Sequence, residues 1–261
     1  MSHQETSNSY YFESSPIWRA IVHMSLPMML GMSMNIIYNI VDAFFIGKLN
    51  QTAMMSAVTL ALPFTTILMA VGNLFGTGGG TFISRLLGDK KLEEAKIVSS
   101  VTFYFSLLAG LMLMMICIPL LHPILQLLGA RKDALLLTQE FILVFIIGSP
   151  LVIANFALEQ VVRAEGASTA SMNGMGLSVI VNIVLDPFLI FFCHMNIAGA
   201  ALGTIIGNLC AVVYYVVYLQ KKSPALTVSV NAFKPSFHRT KEIFKIGVSA
   251  LLMDDLTAKT P

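Results

Sequence analysis

The stretch VNIVLDPFLIF, Val181–Phe191, lies inside an apolar run of residues 170–192 and combines two features that lipid disfavours. The carboxyl group of Asp186 costs at least about 2.5–3.5 kcal/mol at the centre of a bilayer. Pro187 removes a backbone donor and disturbs the helix. The run is nevertheless long enough to cross a membrane, which takes about 20 mainly apolar residues. The stretch therefore predicts a transmembrane helix with a functional carboxylate.

The rest of the chain repeats this pattern. Hydrophobic residues make up 56% of the 261 residues, charged residues only 11%, and the mean hydropathy is +0.78. Soluble domains contain about 25% charged residues. We therefore predict an all-α integral membrane protein, a bundle of six transmembrane helices. The five further apolar runs cover residues 17–47, 53–83, 97–119, 136–161 and 197–219.

The distribution of Lys and Arg predicts the orientation of the bundle. With alternating helices, twelve basic residues fall on one side of the membrane and three on the other. Because basic loops stay in the cytoplasm, the N-terminus and the loop after the sixth helix are expected there. The expected location is the cytoplasmic (inner) membrane, with lipid around a multi-pass chain. The net charge of +2 is too small to indicate binding to nucleic acid.

Four sequence regions follow from these segments. Residues 1–16 are expected to form a cytoplasmic tail, since they lack the features of a signal peptide. Residues 17–220 form the predicted six-helix lobe, and residues 221–242 form a cytoplasmic linker. Residues 243–261 begin a seventh apolar helix that turns polar at DDLTAKTP, so we expect a truncated chain there.

Polar residues inside the predicted helices recur at spacings that place them on one face of each helix. Lipid would penalise each such face, so the faces are expected to point towards a common interior. For the amides and the hydroxyl, bonds that hold the helices together explain the pattern equally well. The residues are Asn35, Tyr38, Asn39 and Asp42 in the first helix, Asn155 in the fourth, Asn182 and Asp186 in the fifth, and Thr204 and Asn208 in the sixth.

Asp42 and Asp186 carry the sharper hypothesis, because no Lys or Arg is expected at their depth. Such carboxylates must be protonated, bind a cation, or alternate between the two states. Two carboxylates, the amide carbonyl of Asn182 and the hydroxyl of Thr204 are oxygen ligands that suit a hard cation such as Na⁺. The sequence predicts a site for Na⁺ or H⁺ and no other cofactor.

Prolines and glycines suggest bending and close packing. Pro27 shares the first helix with Asp42, so a bend there could move Asp42 relative to Asp186, while Pro187 is expected to bend the fifth helix. Small residues four positions apart let helices approach closely. Two such glycine series occur, at Gly72, Gly76 and Gly80 and at Gly199, Gly203 and Gly207.

Several of these stretches together resemble the multidrug and toxic compound extrusion (MATE) transporters. The first helix, LPMMLGMSMNIIYNIVDAFFIG at residues 26–47, resembles the first helix of that family. The stretches GTGGGTFISRLLGDKK, VVRAEGAS, VNIVLDPFLIF and NIAGAALGTIIGN follow in the family's order and spacing. The resemblance covers residues 17–252, and the motifs are specific as a set.

The resemblance implies one lobe of a twelve-helix transporter with two six-helix lobes. Such transporters export small organic, often cationic, compounds in exchange for Na⁺ or H⁺. It implies a cation site at Asp42, Asn182, Asp186 and Thr204, with Asn155 in the adjoining polar network. It also implies a helix bend at Pro27. Without a second lobe the inter-lobe cleft is missing, so a C-terminal lobe or a homodimer is a possible partner.

Two other functions remain open. A lipid-linked sugar flippase of the same superfamily is expected to carry basic residues inside its cavity, and the six segments show none at mid-depth. A non-transporting membrane fragment or interaction module is favoured by the missing second lobe. An enzyme is not expected, because the sequence has no nucleophile–base pair, phosphate loop or metal-binding His/Cys cluster.

Overall fold

The computed structural model describes residues 17–48, 52–131 and 133–258, which form helices joined by short connections. The predicted tail, residues 1–16, lies outside the described part of the chain. A π-helical turn covers Phe188–Phe192, and a 3₁₀ turn covers Val230–Ala232. The helices are α1 (Ile17–Lys48), α2 (Thr52–Gly88), α3 (Leu92–Cys117), α4 (Leu121–Leu127), α5 (Asp133–Ala164), α6 (Ser168–Pro187), α7 (Asn196–Lys221) and α8 (Phe237–Ala258).

Six of these helices, α1, α2, α3, α5, α6 and α7, are long and apolar enough to cross a membrane. This confirms the prediction of an all-α bundle with six transmembrane helices. Helix α8 begins at Phe237, so it includes the basic residues Arg239 and Lys241, which the sequence analysis placed in the linker. The backbone of Ser236 accepts the first bond of α8, from the N–H of Thr240 at 3.0 Å.

Helix α5 is the centre of the bundle and α1 is its most exposed helix. In the most apolar stretch of α5, 61% of the residues are buried, whereas in that of α1 only 6% are buried. Helix α5 packs against α2, α3 and α7, whereas α1 packs mainly against α6. A helix held by one neighbour is easier to move than one enclosed by three, so α1 is the mobile candidate of the bundle.

Both glycine series lie at close helix crossings, as their spacing predicts. A Cβ atom added at Gly72 would lie 2.7 Å from the Cβ of Phe156 on α5, and one at Gly76 would lie 2.9 Å from the Cγ of Gln160. On α7, a Cβ atom at Gly207 would lie 2.7 Å from the carbonyl oxygen of Ser178 on α6. Glycine therefore sets how closely α2 meets α5 and α7 meets α6.

Pro187 ends the regular part of α6. The next five residues form a π-helical turn, in which the N–H of Cys193 donates to the carbonyl of Phe188 at 3.0 Å. Proline supplies no N–H for the α-helical ladder, and a wider turn accommodates that loss. The irregular turn begins directly after Pro187, and Asp186 occupies the last turn of regular helix before it.

Residues 223–233, here called the strap, cross one end of the bundle between α7 and α8. The Ser223 hydroxyl and the Ala225 N–H both donate to Oε1 of Glu165, at 2.5 and 3.2 Å. The hydroxyls of Ser99 and Ser100 lie 2.7 and 2.8 Å from the carbonyl oxygen of Thr227. The strap is therefore fixed to α3 and to the turn between α5 and α6. We call this end of the bundle the base.

Helix α8 leaves the base and packs against α2 through glycine on both sides. A Cβ atom added at Gly78 would collide with the carbonyl oxygen of Ile243, and one at Gly247 would collide with the carbonyl oxygen of Leu74. Phe75 and Phe244 pack edge to face beside this crossing, with ring centroids 5.3 Å apart. Helix α8 is thus seated on the half of α2 nearest the base.

Candidate functional site

The site begins on α1, where Tyr38 and Asp42 lie one helical turn apart and both line a cavity between the helices. The Tyr38 hydroxyl is 3.0 Å from the Thr204 hydroxyl of α7. Gly31, two turns before Tyr38, has the Met175 side chain of α6 beside it. These contacts hold the polar face of α1 against α6 and α7.

On α6, Asn182 and Asp186 also lie one turn apart, and both side chains are buried. Gly203 of α7 makes room for them, because a Cβ atom there would collide with Oδ1 of Asp186 and lie 3.5 Å from Nδ2 of Asn182. The carboxyl groups of Asp42 and Asp186 lie close enough to interact directly. Helices α1, α6 and α7 thus meet around these two carboxylates.

Thr204 connects the other members of the site. Its hydroxyl accepts a bond of 3.2 Å from Nδ2 of Asn182, lies 3.0 Å from the Tyr38 hydroxyl, and lies 3.2 Å from the carbonyl oxygen of Ala200. The Thr204 side chain is thereby fixed between α1 and α6. We call Asp42, Asn182, Asp186 and Thr204 the cation cluster.

Four side-chain oxygens of the cation cluster, on Asp42, Asn182 and Asp186, lack donors from the residues that the structure describes. Among the described residues, Oδ1 of Asp42, Oδ1 of Asn182 and both carboxylate oxygens of Asp186 are buried without a hydrogen-bond partner. None of the ion pairs in the described part of the chain involves either aspartate. Buried polar atoms normally have partners, and buried charges are normally paired.

This donor set fits a hard monovalent cation. Carboxylate, amide and hydroxyl oxygens are the ligands that such cations prefer, and the described residues contain no cluster of three or more His, Cys, Asp or Glu side chains for a softer metal. A proton shared by Asp42 and Asp186 would also relieve their repulsion. The cluster can therefore hold Na⁺ or H⁺.

A second polar pair lies beside the cluster. Nδ2 of Asn155 on α5 donates to Oδ1 of Asn208 on α7 at 2.9 Å, and both side chains line the cavity. Oδ1 of Asn155 is buried with no partner among the described residues. The bond ties α5 to α7, and the free amide oxygen leaves an acceptor for a bound molecule.

The other predicted positions are placed as follows. Pro27 lies within the continuous helix α1, eleven residues before Tyr38, and is partly buried. Asn35 and Asn39 belong to the backbone of α1, but the predictions for their side chains lie outside the described part of the chain. The polar network is thus described for Tyr38, Asn155 and Asn208.

The cavity has a volume of about 390 Å³ and lies between α1, α2, α5, α6 and α7. Its walls are mostly apolar, with aromatic rings and thioethers beside the polar residues named above. None of the described lining residues is basic. The apolar and aromatic lining residues include Met55, Met69, Phe141, Phe145, Phe156 and Met175.

Glu159 is a cavity residue that the sequence analysis did not assign to the site. Its side chain lines the cavity one helical turn beyond Asn155 on α5, and only 8% of the residue is exposed. It forms an ion pair with Arg163. The spacing from Asn155 could have indicated this position, because residues four apart share a helix face.

Glu165, outside the spanning helices, serves the strap rather than the cavity. Burial raises the pKa of its carboxyl group, and the bonds from Ser223 and Ala225 oppose that rise. Gly166 follows with φ of +84°, a conformation that glycine adopts at no steric cost. The turn between α5 and α6 therefore presents Glu165 to the strap.

Comparisons with known proteins agree with this arrangement. A sequence model of the MatE family matches residues 27–188. The multidrug export protein MepA of Staphylococcus aureus (strain NCTC 8325 / PS 47) is 45% identical over 251 residues, which cover 96% of this chain and 56% of that protein. MepA of Staphylococcus haemolyticus (strain JCSC1435) is 45% identical over 244 residues, covering 94% and 54%. The chain thus spans about half the length of the relatives it matches.

A solved structure shows the same fold. The outward-facing conformation of a multidrug resistance MATE family transporter of the MOP superfamily superimposes with a TM-score of 0.84 at 28% sequence identity. The superposition covers 89% of this chain and 52% of that structure.

Proposed function

We propose, since the chain belongs to the MATE family of transporters, that its six spanning helices form one lobe of a cation-coupled exporter of small organic cations. The membrane is the cytoplasmic one, with the base and the N-terminus in the cytoplasm. The distribution of basic residues supports this orientation, because the connections at the base carry Lys90, Lys91 and Lys222.

The convergence of unpartnered oxygens in the cation cluster carries the proposal. Asp42 and Asp186 interact directly and have no basic partner among the described residues. Buried carboxylates of this kind need a cation or a proton for stability. The cluster therefore serves as the binding site of the coupling ion, Na⁺ or H⁺.

Coupling follows from the position of Asp42, which belongs to the cluster and also lines the cavity. Na⁺ or H⁺ at the cluster changes the charge of its carboxylates and the bonds around Thr204. Helix α1, which is held mainly by α6, then bends near Pro27 and reshapes the cavity wall that Tyr38 and Asp42 provide. Substrate and ion compete because each stabilises a different arrangement of α1.

The cavity walls support an organic cation as substrate. Aromatic rings attract cations through their faces, and thioether side chains adapt to ligands of different shape. Carboxylates supply the complementary charge. A lipid-linked pyrophosphate would need basic residues, and the described lining residues include none. The flippase hypothesis is therefore the weaker one.

A second six-helix body is needed to complete the transport pathway, because alternating access requires two bodies that move around the site. The exposed apolar side chains of α1 lie beside the cavity and would face that body or lipid. Met29, Met32, Ile36 and Ile40 are each more than half exposed. The partner is a C-terminal lobe or a second copy of this chain.

Export of ethidium from proteoliposomes tests the proposal. The chain is reconstituted alone and together with a separately expressed C-terminal lobe of a MepA relative, and a Na⁺ or proton gradient is imposed. We expect gradient-driven export with the second lobe present, and loss of that export in Asp42→Asn. Equal export by Asp42→Asn and the unmodified chain would overturn the proposal. If ethidium is exported neither by the chain alone nor by the chain together with the second lobe, the result would favour the non-transporting membrane module.

A further inference from the structure

Glu159 is a buried carboxylate that faces the cavity and lies outside the cation cluster. The residue is only 8% exposed, and its side chain lines the cavity. It lies one helical turn from Asn155 on α5, in the direction of the base. A charged group in an apolar cavity wall is costly unless it is paired, so its partner matters.

That partner is Arg163, one turn further along α5, which forms an ion pair with Oε1 of Glu159 through Nη2. Arg163 is not among the lining residues of the cavity, so it holds the carboxylate from behind. Its guanidinium also donates to Oε1 of Gln160 at 3.3 Å and to the Ser171 hydroxyl at 3.4 Å. The face of the Glu159 carboxylate towards the cavity remains available to another cation.

Arg163 would remain stabilised after losing Glu159. It lies in the last turn of α5, where the partial negative charge of the helix C-terminus favours a basic side chain. Gln160 and Ser171 stay within reach as acceptors. Exchange of Arg163 for another cation at Glu159 therefore leaves the guanidinium with these two acceptors and the helix C-terminus, although its Nε already lacks a partner in the described part of the chain.

The surroundings of Glu159 suit an organic cation. Phe156, one turn before Glu159 on α5, and Met175 of α6 line the same cavity. An aromatic face and a polarisable thioether stabilise a cation whose hydrating water has been removed. Inorganic cations keep their preference for the oxygens of the cation cluster.

We infer that Glu159 is a second, organic-cation subsite of the cavity, at which the positively charged group of the substrate replaces Arg163 as the partner of the carboxylate. This inference rests on the proposed function in so far as the cavity holds the substrate. Arg163 acts as an internal competitor, so a cationic ligand must replace it at the carboxylate, whereas a neutral ligand gains nothing from Glu159. Selectivity for cations over neutral molecules therefore comes from the charge of Glu159, and Arg163 limits how strongly cations bind.

The test is equilibrium binding of radiolabelled tetraphenylphosphonium, an aromatic monocation, to the full chain in lipid nanodiscs. Radiolabelled triphenylphosphine oxide, which is neutral and similar in shape, is the comparison ligand, and empty nanodiscs give the background. Glu159→Gln removes the charge with little change in volume. Glu165→Gln is the matched control, because it makes the same substitution at the strap, outside the cavity lining.

Glu159→Gln is expected to weaken tetraphenylphosphonium binding about tenfold and to leave triphenylphosphine oxide binding unchanged, since a bond to a charged group is the interaction lost. Arg163→Gln is expected to strengthen tetraphenylphosphonium binding, because it removes the internal competitor. Glu165→Gln is expected to match the unmodified chain, and Glu159→Asp is expected to restore part of the lost affinity.

Unchanged tetraphenylphosphonium binding in Glu159→Gln would overturn the inference, and so would an equal loss of both ligands, which indicates a structural role. If the unmodified chain shows no saturable tetraphenylphosphonium binding, the proposed substrate class fails together with the inference. A failure of ion coupling alone is distinguishable, because Na⁺ and pH would then leave tetraphenylphosphonium binding unchanged while Glu159→Gln still weakens it.

Discussion

The cation cluster and the anchors of the strap contain the same kinds of polar groups in two opposite conditions. At the strap, Oε1 of Glu165 receives two donors, and the hydroxyls of Ser99 and Ser100 reach the carbonyl of Thr227. At the cluster, both oxygens of Asp186 are buried with no donor in the described part of the chain. The strap satisfies most of its polar groups from within, although Oε2 of Glu165 also lacks a partner.

This difference separates fixed structure from a binding site. A hydrogen bond within the chain contributes about 0.5–1.5 kcal/mol and holds two segments together whatever the solution contains. A buried carboxylate without a partner depends on what the solution supplies, since the uncompensated charge is costly. The cluster should therefore respond to Na⁺ and pH, and the strap should respond mainly to substitutions of its anchors.

The largest expected effect comes from Asp186→Asn. This substitution removes one of the two carboxylates of the cluster, so we expect binding of ²²Na⁺, or uptake of a proton on acidification, to weaken by at least about 100-fold. Equilibrium ²²Na⁺ binding and proton uptake by the purified chain measure the change. In Glu165→Gln, which alters a carboxyl group of the strap, both quantities should stay as in the unmodified chain. Similar losses in the two variants would remove the distinction between the regions.

A smaller effect is expected from Gly203→Ala, which adds a methyl group without changing any charge. The new Cβ atom would collide with Oδ1 of Asp186, so the carboxylate must leave its position in the cluster. Overpacking of this kind costs about 1–3 kcal/mol, and we expect cation affinity to fall about tenfold. Gly88→Ala is the matched control, because a Cβ atom there meets nothing within 4 Å. Unchanged cation affinity in Gly203→Ala would mean that the position of Asp186 is not critical.

Ser99→Ala should change stability and leave cation binding unchanged. The Ser99 hydroxyl lies 2.7 Å from the carbonyl oxygen of Thr227 and accepts from the Thr227 N–H at 3.2 Å. Loss of these bonds is expected to cost about 1 kcal/mol, which lowers the thermal midpoint by about 2–4 °C. Thermal unfolding of the detergent-solubilised variant measures this. A loss of ²²Na⁺ binding at unchanged thermal midpoint would contradict the assignment of Ser99 to the strap.

The smallest effect is the pH dependence of the strap. Burial raises the pKa of Glu165 above its ordinary value of 4.5, so the folded chain binds more protons than the unfolded chain between the two pKa values. Stability therefore falls as pH rises from the ordinary pKa through the raised one. As the pH rises through this range, the thermal midpoint of the unmodified chain should fall relative to that of Glu165→Gln, by a few degrees at most. A difference that is constant with pH would show that Glu165 has equal proton affinity in both states.

The polar faces of the helices were predictable because helical spacing alone determines them. Tyr38 with Asp42 and Asn182 with Asp186 lie one turn apart in any helix, and lipid excludes such faces. The convergence of α1, α6 and α7 follows from that exclusion. The glycine series likewise predicted close crossings, since only a missing side chain permits the backbone contact seen at Gly207.

Other features depend on contacts that spacing does not reveal. Thr204 becomes the centre of the cluster only because three neighbouring groups meet its hydroxyl in space. The place of Glu159 in the cavity wall depends on how α5 packs against the other helices. The strap is held from residues more than a hundred positions away, such as Ser99 with Thr227, and no local pattern encodes that pairing.

The most direct test of the cation cluster is infrared difference spectroscopy of the purified chain, recorded between Na⁺-free and Na⁺-loaded states and between acid and neutral pH. We predict carboxyl bands that change with Na⁺ or with pH, that weaken in Asp186→Asn, and that disappear in the double variant with Asp42→Asn. Glu165→Gln should retain these bands. A double variant that keeps the full Na⁺ and pH response would contradict the assignment of the ion site to Asp42 and Asp186.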